Sequence, residues 1–178
     1  MHAEKTALYI GRFQPFHLGH LDAVRQIFET DPPKCLLIGI GSAEENYLPQ
    51  NPFTAGERFQ MIAESLAEIG IPRESFFICP VRNINHYALW AEHVRQLLPP
   101  FSRVFSGSKL IRQLFSSLSG ITPIALEKRI EINATTVRNA MLQGENWRVM
   151  VPAGTACILE EIRGEERLQN IAETESQK

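Results

Sequence analysis

The chain has 178 residues, 44% hydrophobic and 21% charged, with a formal net charge of −2. That size and balance fit one domain with a single core and exclude a fibre or a chain too polar to fold. A charge so near zero lacks the basic footprint of sequence-independent nucleic-acid binding, so no nucleic-acid partner is expected. Cys35, Cys79 and Cys157 are odd in number and widely spaced in apolar surroundings, which predicts buried free thiols in a reducing compartment. The opening MHAEKTALYIGRF has no basic segment followed by a long apolar one, and no run reaches membrane-spanning length. No membrane partner is expected, and the expected address is cytoplasmic.

Short β-rich runs alternate with segments of helical period. TALYIGRF reads as a strand, and GHLDAVRQIFET follows with Leu21, Val24, Ile27 and Phe28 on one helical face. KCLLIGIGS is nearly all apolar, as a strand covered on both faces must be. TAGERFQMIAESLAEIG then sets Phe59, Ile62, Leu66 and Ile69 on one side of a helix, with Thr54 and Glu57 spaced as a capping box. The alternation repeats as SFFICPV with ALWAEHVRQLL and as SRVFSGS with KLIRQLFSSL, before a last strand near TPIALEKRIEI and a helix from Thr135. Ile158, Leu159 and Ile162 predict a C-terminal helix, and ETESQK predicts a frayed end. The pattern is α/β: a doubly wound, mainly parallel sheet with a C-terminal helix.

In such a sheet the ligand crevice lies beyond the carboxyl ends of the strands. GRFQPFHLGH, residues 11 to 20, occupies that place after the first strand. Glycine, proline and phenylalanine there could serve the turn alone, and a single histidine could be an ordinary hydrogen-bonded core residue. Together, however, His17 and His20 at i, i+3 share one face of a first helical turn. Gly19 opens the backbone to close approach, and Arg12 stands just upstream. Two imidazoles, free helix N–H groups and a guanidinium make a cradle for an anion. A zinc site would need a third ligand at suitable spacing, and the sequence offers none. Gly39 and Gly41 begin a dinucleotide fingerprint, but Glu44 stands at its third glycine, and no Walker A run occurs. INATTVRNAM, residues 132 to 141, supplies a second cradle: Asn133 or Thr135 caps a helix, and Arg138 follows about one turn later. Taken alone, it would be a plain capped helix with an exposed arginine.

GRFQPFHLGH resembles the HxGH signature of the nucleotidyltransferase α/β superfamily, and INATTVR resembles its second signature, Ile-Ser-x-Thr-x-x-Arg. The closer similarity is to the archaeal-type nicotinamide-nucleotide (NMN) adenylyltransferases. It extends through GSA (41–43), NPFTAGER (51–58), ALWAEHV (88–94), RVFSGS (103–108), NWRVMVP and EEIRGEER, and so through nearly the whole chain. The resemblance implies a single nucleotidyltransferase domain over 1–178, a homo-oligomer, and attack of the NMN 5′-phosphate on the α-phosphorus of ATP. It implies catalytic roles for His17, His20, Arg12 and Arg138. ATP would lie against Gly11, Phe13, Gln14, Gly19, Gly107, Thr135 and Thr136, and NMN against Gly41, Ile84, Tyr87 and Trp90.

The chemistry fits these residues independently. An NMN phosphate is already ionised near neutral pH, so such a site needs donors and cations rather than a strong base. Mg²⁺ would arrive with ATP on phosphate oxygens and water, with no protein metal cage. Trp90 would stack on the pyridine ring; the alternative is a core tryptophan in register with Leu89 and Val94.

Three departures from the family stand out: Asn133 and Ala134 replace Ser and Gly, Gln50 stands where some relatives have Arg, and Tyr87 where they have an amide. Competing readings are adenylyl transfer to phosphopantetheine or flavin mononucleotide, and a nucleotide-sensing module without turnover.

Overall fold

The computed structural model describes residues 6–177, so Met1–Lys5, part of the opening segment used above, and the last residue of ETESQK lie outside it. Strand β1 (Thr6–Gly11) leads into helix α1 (Leu18–Thr30), β2 (Cys35–Ile40) into α2 (Ala55–Glu68), and β3 (Phe76–Pro80) into α3 (Tyr87–Leu97). Then β4 (Arg103–Ser106) leads into α4 (Lys109–Ser116), and β5 (Thr122–Ala125) into α5 (Ala134–Leu142). Helices α6 (Ala153–Glu161) and α7 (Gly164–Ser176) close the described chain.

The five strands are all parallel in the order β3-β2-β1-β4-β5. The chain therefore winds outward from β1 in one direction, then returns to β4 and winds the other way. A crevice opens where the winding reverses, beyond the carboxyl ends of β1 and β4. Strand β2, predicted to be covered on both faces, is buried at every residue. One core, with Leu36, Ile38, Ile62 and Leu66, lies on one face of the sheet; a second, with Leu8, Leu37, Val94 and Phe115, lies on the other. Each such side chain contributes about 1.5–3 kcal/mol by leaving water.

Three expectations change. The last strand stops at Ala125, because Gln26 of α1 takes both backbone groups of Glu127 (Nε2 to O 2.9 Å, N to Oε1 3.1 Å) and turns the following segment off the sheet. The C-terminal helix is two helices. Arg163 adopts φ 51°, and a Cβ on Gly164 would meet Leu159 and Phe53 at 3.0–3.1 Å, so the chain bends there; α7 then runs to Ser176 without fraying at ETES. All three cysteines are free, but only Cys35 is buried; Cys79 is half-buried on the edge strand, and Cys157 lies on the outer face of α6.

Candidate active site

Residues 11–20 begin α1 with a histidine pair in place of the usual hydroxyl and carboxylate. His17 is the N-cap: its Nδ1 accepts from Gly19 N at 3.1 Å, while His20 Nδ1 accepts from His17 N at 3.2 Å, a reciprocal capping box. The free helix N–H groups expected at this cradle are thus partly used by the imidazoles themselves. Space over Gly19 is also taken, since a Cβ there would meet the His17 ring at 3.1 Å and the Ile132 carbonyl at 3.2 Å.

With each Nδ1 accepting, the neutral tautomer of both rings carries its proton on Nε2. Burial lowers the His17 pKa to about 4. Burial against Phe13 and Phe16, reinforced by the neighbouring His17, holds His20 well below its ordinary value. Both rings are therefore neutral N–H donors at pH 7 rather than cations.

Two clefts flank the end of β1. The larger, about 750 Å³, is walled by Gly11 and Arg12 after β1, Gly41 and Ser42 after β2, Asn83, Tyr87 and Trp90 on the β3 side, and Ser106 after β4. The smaller, about 230 Å³, is walled by His17, Gly19, His20, Asp22, Gly107 and the segment from Leu126 to Ile132. A third hollow of about 580 Å³, between Tyr47 and α7, shares no residue with either.

Most residues singled out in the sequence thus gather at these strand ends. Trp90 serves both readings proposed for it, since it lines the large cleft and meets the Phe115 ring at 5.8 Å. Ile84 stands half-buried outside the cleft walls, and Asn83 takes that place.

Other expectations need correction. Phe13 is buried at φ 52° with its ring beneath Gly11, where a Cβ would meet it at 2.9 Å. Gln14 is buried too, and grips the backbone of Phe53 with Nε2 to O at 2.8 Å and N to Oε1 at 3.0 Å. Both side chains build the turn, and neither residue lines either cleft. Arg138 is buried rather than exposed, with Nη1 donating to Gln14 O at 2.8 Å. Burial, then the charge of Arg12, lowers its pKa. Asn133 is the cap of α5, accepting from Thr136 N at 3.0 Å, so the departure from Ser preserves the function of that position. Thr135 and Thr136 are exposed on the first turn of α5.

Sequence reasoning missed Arg58, which is fully buried in α2 beneath the β1 and β2 turns and bonds only to carbonyls. The available signal was an arginine in register with Met61, Ile62, Ser65 and Leu66 on the buried stripe of an amphipathic helix. Asn51 and Glu45, also missed, form a pair at 2.6 Å in the wall of the large cleft, with Asn51 Oδ1 buried and unpartnered. Among the described residues, no three His, Cys, Asp or Glu side chains are grouped to hold a metal ion, and no helix is long and apolar enough to cross a membrane.

A parallel sheet in this strand order, with imidazole and guanidinium groups at its reversal point, defines a nucleotidyltransferase of the α/β class, and a family model described as cytidylyltransferase-like matches residues 8–140. The nicotinamide-nucleotide adenylyltransferase of Methanosphaerula palustris is 42% identical over 168 residues, 93% of this chain and 96% of that one. That of Pyrococcus furiosus is 37% identical over 170 residues, 94% of this chain and 89% of that one. The chain belongs to the nicotinamide-nucleotide adenylyltransferase family. A bifunctional NMN adenylyltransferase/ADP ribose pyrophosphatase from Francisella tularensis shares the fold, with a TM-score of 0.78 at 23% identity over 97% of this chain. It covers 54% of that protein, so the chain spans about half its length. A second structure of that protein, TM-score 0.75 at 23% identity over 94% of this chain and 52% of that one, is described as a complex with AMP and a manganese ion.

Proposed function

We propose that the chain is an adenylyltransferase that joins ATP and nicotinamide mononucleotide to give NAD and pyrophosphate. The observation that carries this reading is the pair Arg12 and Arg138. Each lacks a carboxylate ion partner among the described residues, and they lie close enough that the charge of Arg12 depresses Arg138. Arg12, in the wall of the large cleft, and Arg138, buried in α5 near it, are two cations without an ion-pair partner, and an anion placed between them stabilises both.

ATP lies in the smaller cleft against Gly19 and Gly107, and its phosphates run toward Gly11, Arg12, Arg138 and the first turn of α5 at Thr135 and Thr136. NMN lies in the larger cleft, its ring against Trp90 and Tyr87 and its phosphate beside Gly41 and Arg12. An oxygen of the NMN phosphate forms a bond to the α-phosphorus while the bond from that phosphorus to the bridging oxygen of pyrophosphate breaks. No proton need be removed from the nucleophile and no enzyme-bound intermediate forms. Alignment of the two phosphates and stabilisation of shifting charge do the catalysis. The Nε2–H groups of His17 and His20 donate to the α-phosphate and the leaving oxygen, where negative charge grows.

The donors here are N–H groups, which suit phosphate oxygens rather than a metal, so Mg²⁺ enters with ATP. Phosphate oxygens and water would hold the ion, which would offset the triphosphate charge. In this reading residues 1–178 form one domain that works in the cytoplasm as a homo-oligomer.

The test is pyrophosphate release from ATP and Mg²⁺ with NMN, nicotinate mononucleotide, phosphopantetheine or flavin mononucleotide in parallel. Release with NMN and formation of NAD is the expected result. Release only with another acceptor replaces NMN, and binding without release from any acceptor makes the chain a sensor.

A further inference from the structure

We infer that Arg58 is a positioning residue for the acceptor nucleotide: it locks the two turns that wall the large cleft. The inference rests on the assignment of NMN to that cleft. Arg58 Nη1 donates to Arg12 O and Gly41 O, both at 2.9 Å. Nη2 donates to Ser42 O at 3.1 Å, and Nε to Thr54 O at 3.2 Å. The side chain is fully buried and has no carboxylate in ion-pair contact among the described residues. Burial lowers its pKa to about 10 despite the fields of Glu44, Glu45 and Glu57, which leaves it charged at neutral pH.

What the guanidinium holds is unusual backbone. Ser42 sits at φ 47°, and Phe13, which follows the clamped Arg12 carbonyl, at φ 52°. Non-glycine residues in this region are strained and persist only where their surroundings fix them. Arg58 supplies that fixing for both turns at once. Its planar fork reaches carbonyls on the neighbouring strand ends β1 and β2, a geometry a lysine ammonium on a flexible stem cannot reproduce. Because Arg12 and Gly41 are carried by those turns, relaxing either one moves a wall of the NMN cleft. Of the clamped turns only the one bearing Arg12 also meets ATP, at its phosphates. The rest of the smaller cleft is held separately, by the His17–His20 capping box and by Gln26 on Glu127, so loss of Arg58 weighs more on NMN than on ATP. A further cation beneath both turns also raises the positive potential where the NMN phosphate arrives.

The two roles of Arg58, merely structural and positioning, separate in kinetics. Arg58→Lys and Arg58→Met are compared with wild type for KM of NMN, KM of ATP, kcat and Tm. We expect Arg58→Met to raise the NMN KM about tenfold or more with the ATP KM within about threefold, and Arg58→Lys to fall between it and wild type. Should Arg58→Met not fold, the Lys variant carries the test by the same split. Unchanged KM values in a folded variant, or both rising together with lost Tm, overturn the inference. A wild-type enzyme that releases no pyrophosphate with NMN overturns the functional reading instead.

Discussion

The rings of His17 and His20 stack with centroids 3.6 Å apart and 27° between their planes, each Nδ1 turned to the backbone of the helix it starts. Two imidazolium ions could not sit this way, so folding favours the neutral forms and pH acts on stability. The His17 pKa is lowered from 6.5 to about 4. Below pH 6.5 the unfolded chain takes up the proton before the folded one does. Stability is therefore fully present above 6.5 and is lost as pH falls toward 4, by about 3 kcal/mol for a shift of this size. Urea unfolding from pH 7 to 4 should show this fall. His17→Asn, which keeps a good N-cap without a titrating ring, should make the fall shallower and leave the part that comes from buried His20; an unchanged slope removes His17 as a source. Because the donors are neutral, kcat at saturating substrates should not drop between pH 6 and 8, as a mechanism needing imidazolium would.

His20→Ala removes an Nε2–H donor and one half of the capping box together. We expect kcat to fall roughly 10²-fold with a smaller change in the ATP KM, the pattern of a contact made mainly in the transition state. The lost cap adds a stability cost of about 1 kcal/mol, which leaves the protein folded. Near wild-type kcat would return His20 to a purely structural role.

Glu57 links the start of α2 to α7. Its carboxylate accepts from Arg167 Nη1 and Nη2, both at 2.8 Å, and from Thr54 N at 2.8 Å. Burial pushes its pKa up, but the bonds from Arg167 and Thr54 outweigh this and hold it below 4.5. A depressed carboxylate contributes stability above its unfolded pKa and loses it as pH falls through the folded one. Glu57→Gln should thus cost roughly 1.5–3 kcal/mol at pH 7, with the gap from wild type closing below pH 4. Thermal unfolding at pH 7 and at pH 3.5 measures both ends, and a pH-independent gap would refute the charge-based account.

What was legible in the sequence was local. His17, His20, Arg12, Gly41 and Trp90 stand within a few residues of strand ends, so strand-to-helix alternation was enough to bring them to one crevice. The clamps were not legible. Gln26 grips Glu127 from 101 residues away, Gln14 grips Phe53 from 39, and Arg58 reaches Arg12 from 46. Each acts on backbone, whose position only the assembled sheet determines. The over-long last strand has the same origin: alternation in ALEKRIEI suits a strand, yet Gln26 satisfies Glu127 before a neighbour can. Motif position likewise says nothing of a turn at φ 52°, which sends the Phe13 ring into the core, or of the Gln14 side chain that turns to the Phe53 backbone.

The acceptor base provides the last prediction. Nicotinate mononucleotide carries a carboxylate where NMN carries a neutral carboxamide, and a pocket that prefers it must supply a cation or converging donors. The wall of the large cleft offers the carboxylate of Glu45, which already accepts from Asn51 Nδ2 at 2.6 Å and has acceptor capacity to spare. It accepts from an amide NH₂ and opposes a carboxylate. Arg82, exposed in the same wall, is the opposing influence, since it could turn to pair with that carboxylate. Its guanidinium remains in water, where an ion pair is worth about 1 kcal/mol or less. One mispaired buried polar contact costs about 1–3 kcal/mol, which outweighs it. We therefore expect kcat/KM to favour NMN by roughly tenfold to a hundredfold. Arg82→Met should widen the ratio slightly, and Trp90→Ala should raise KM for both acceptors alike. Equal values for the two nucleotides, or a preference for the nicotinate form that Arg82→Met abolishes, would assign the pocket to Arg82 instead.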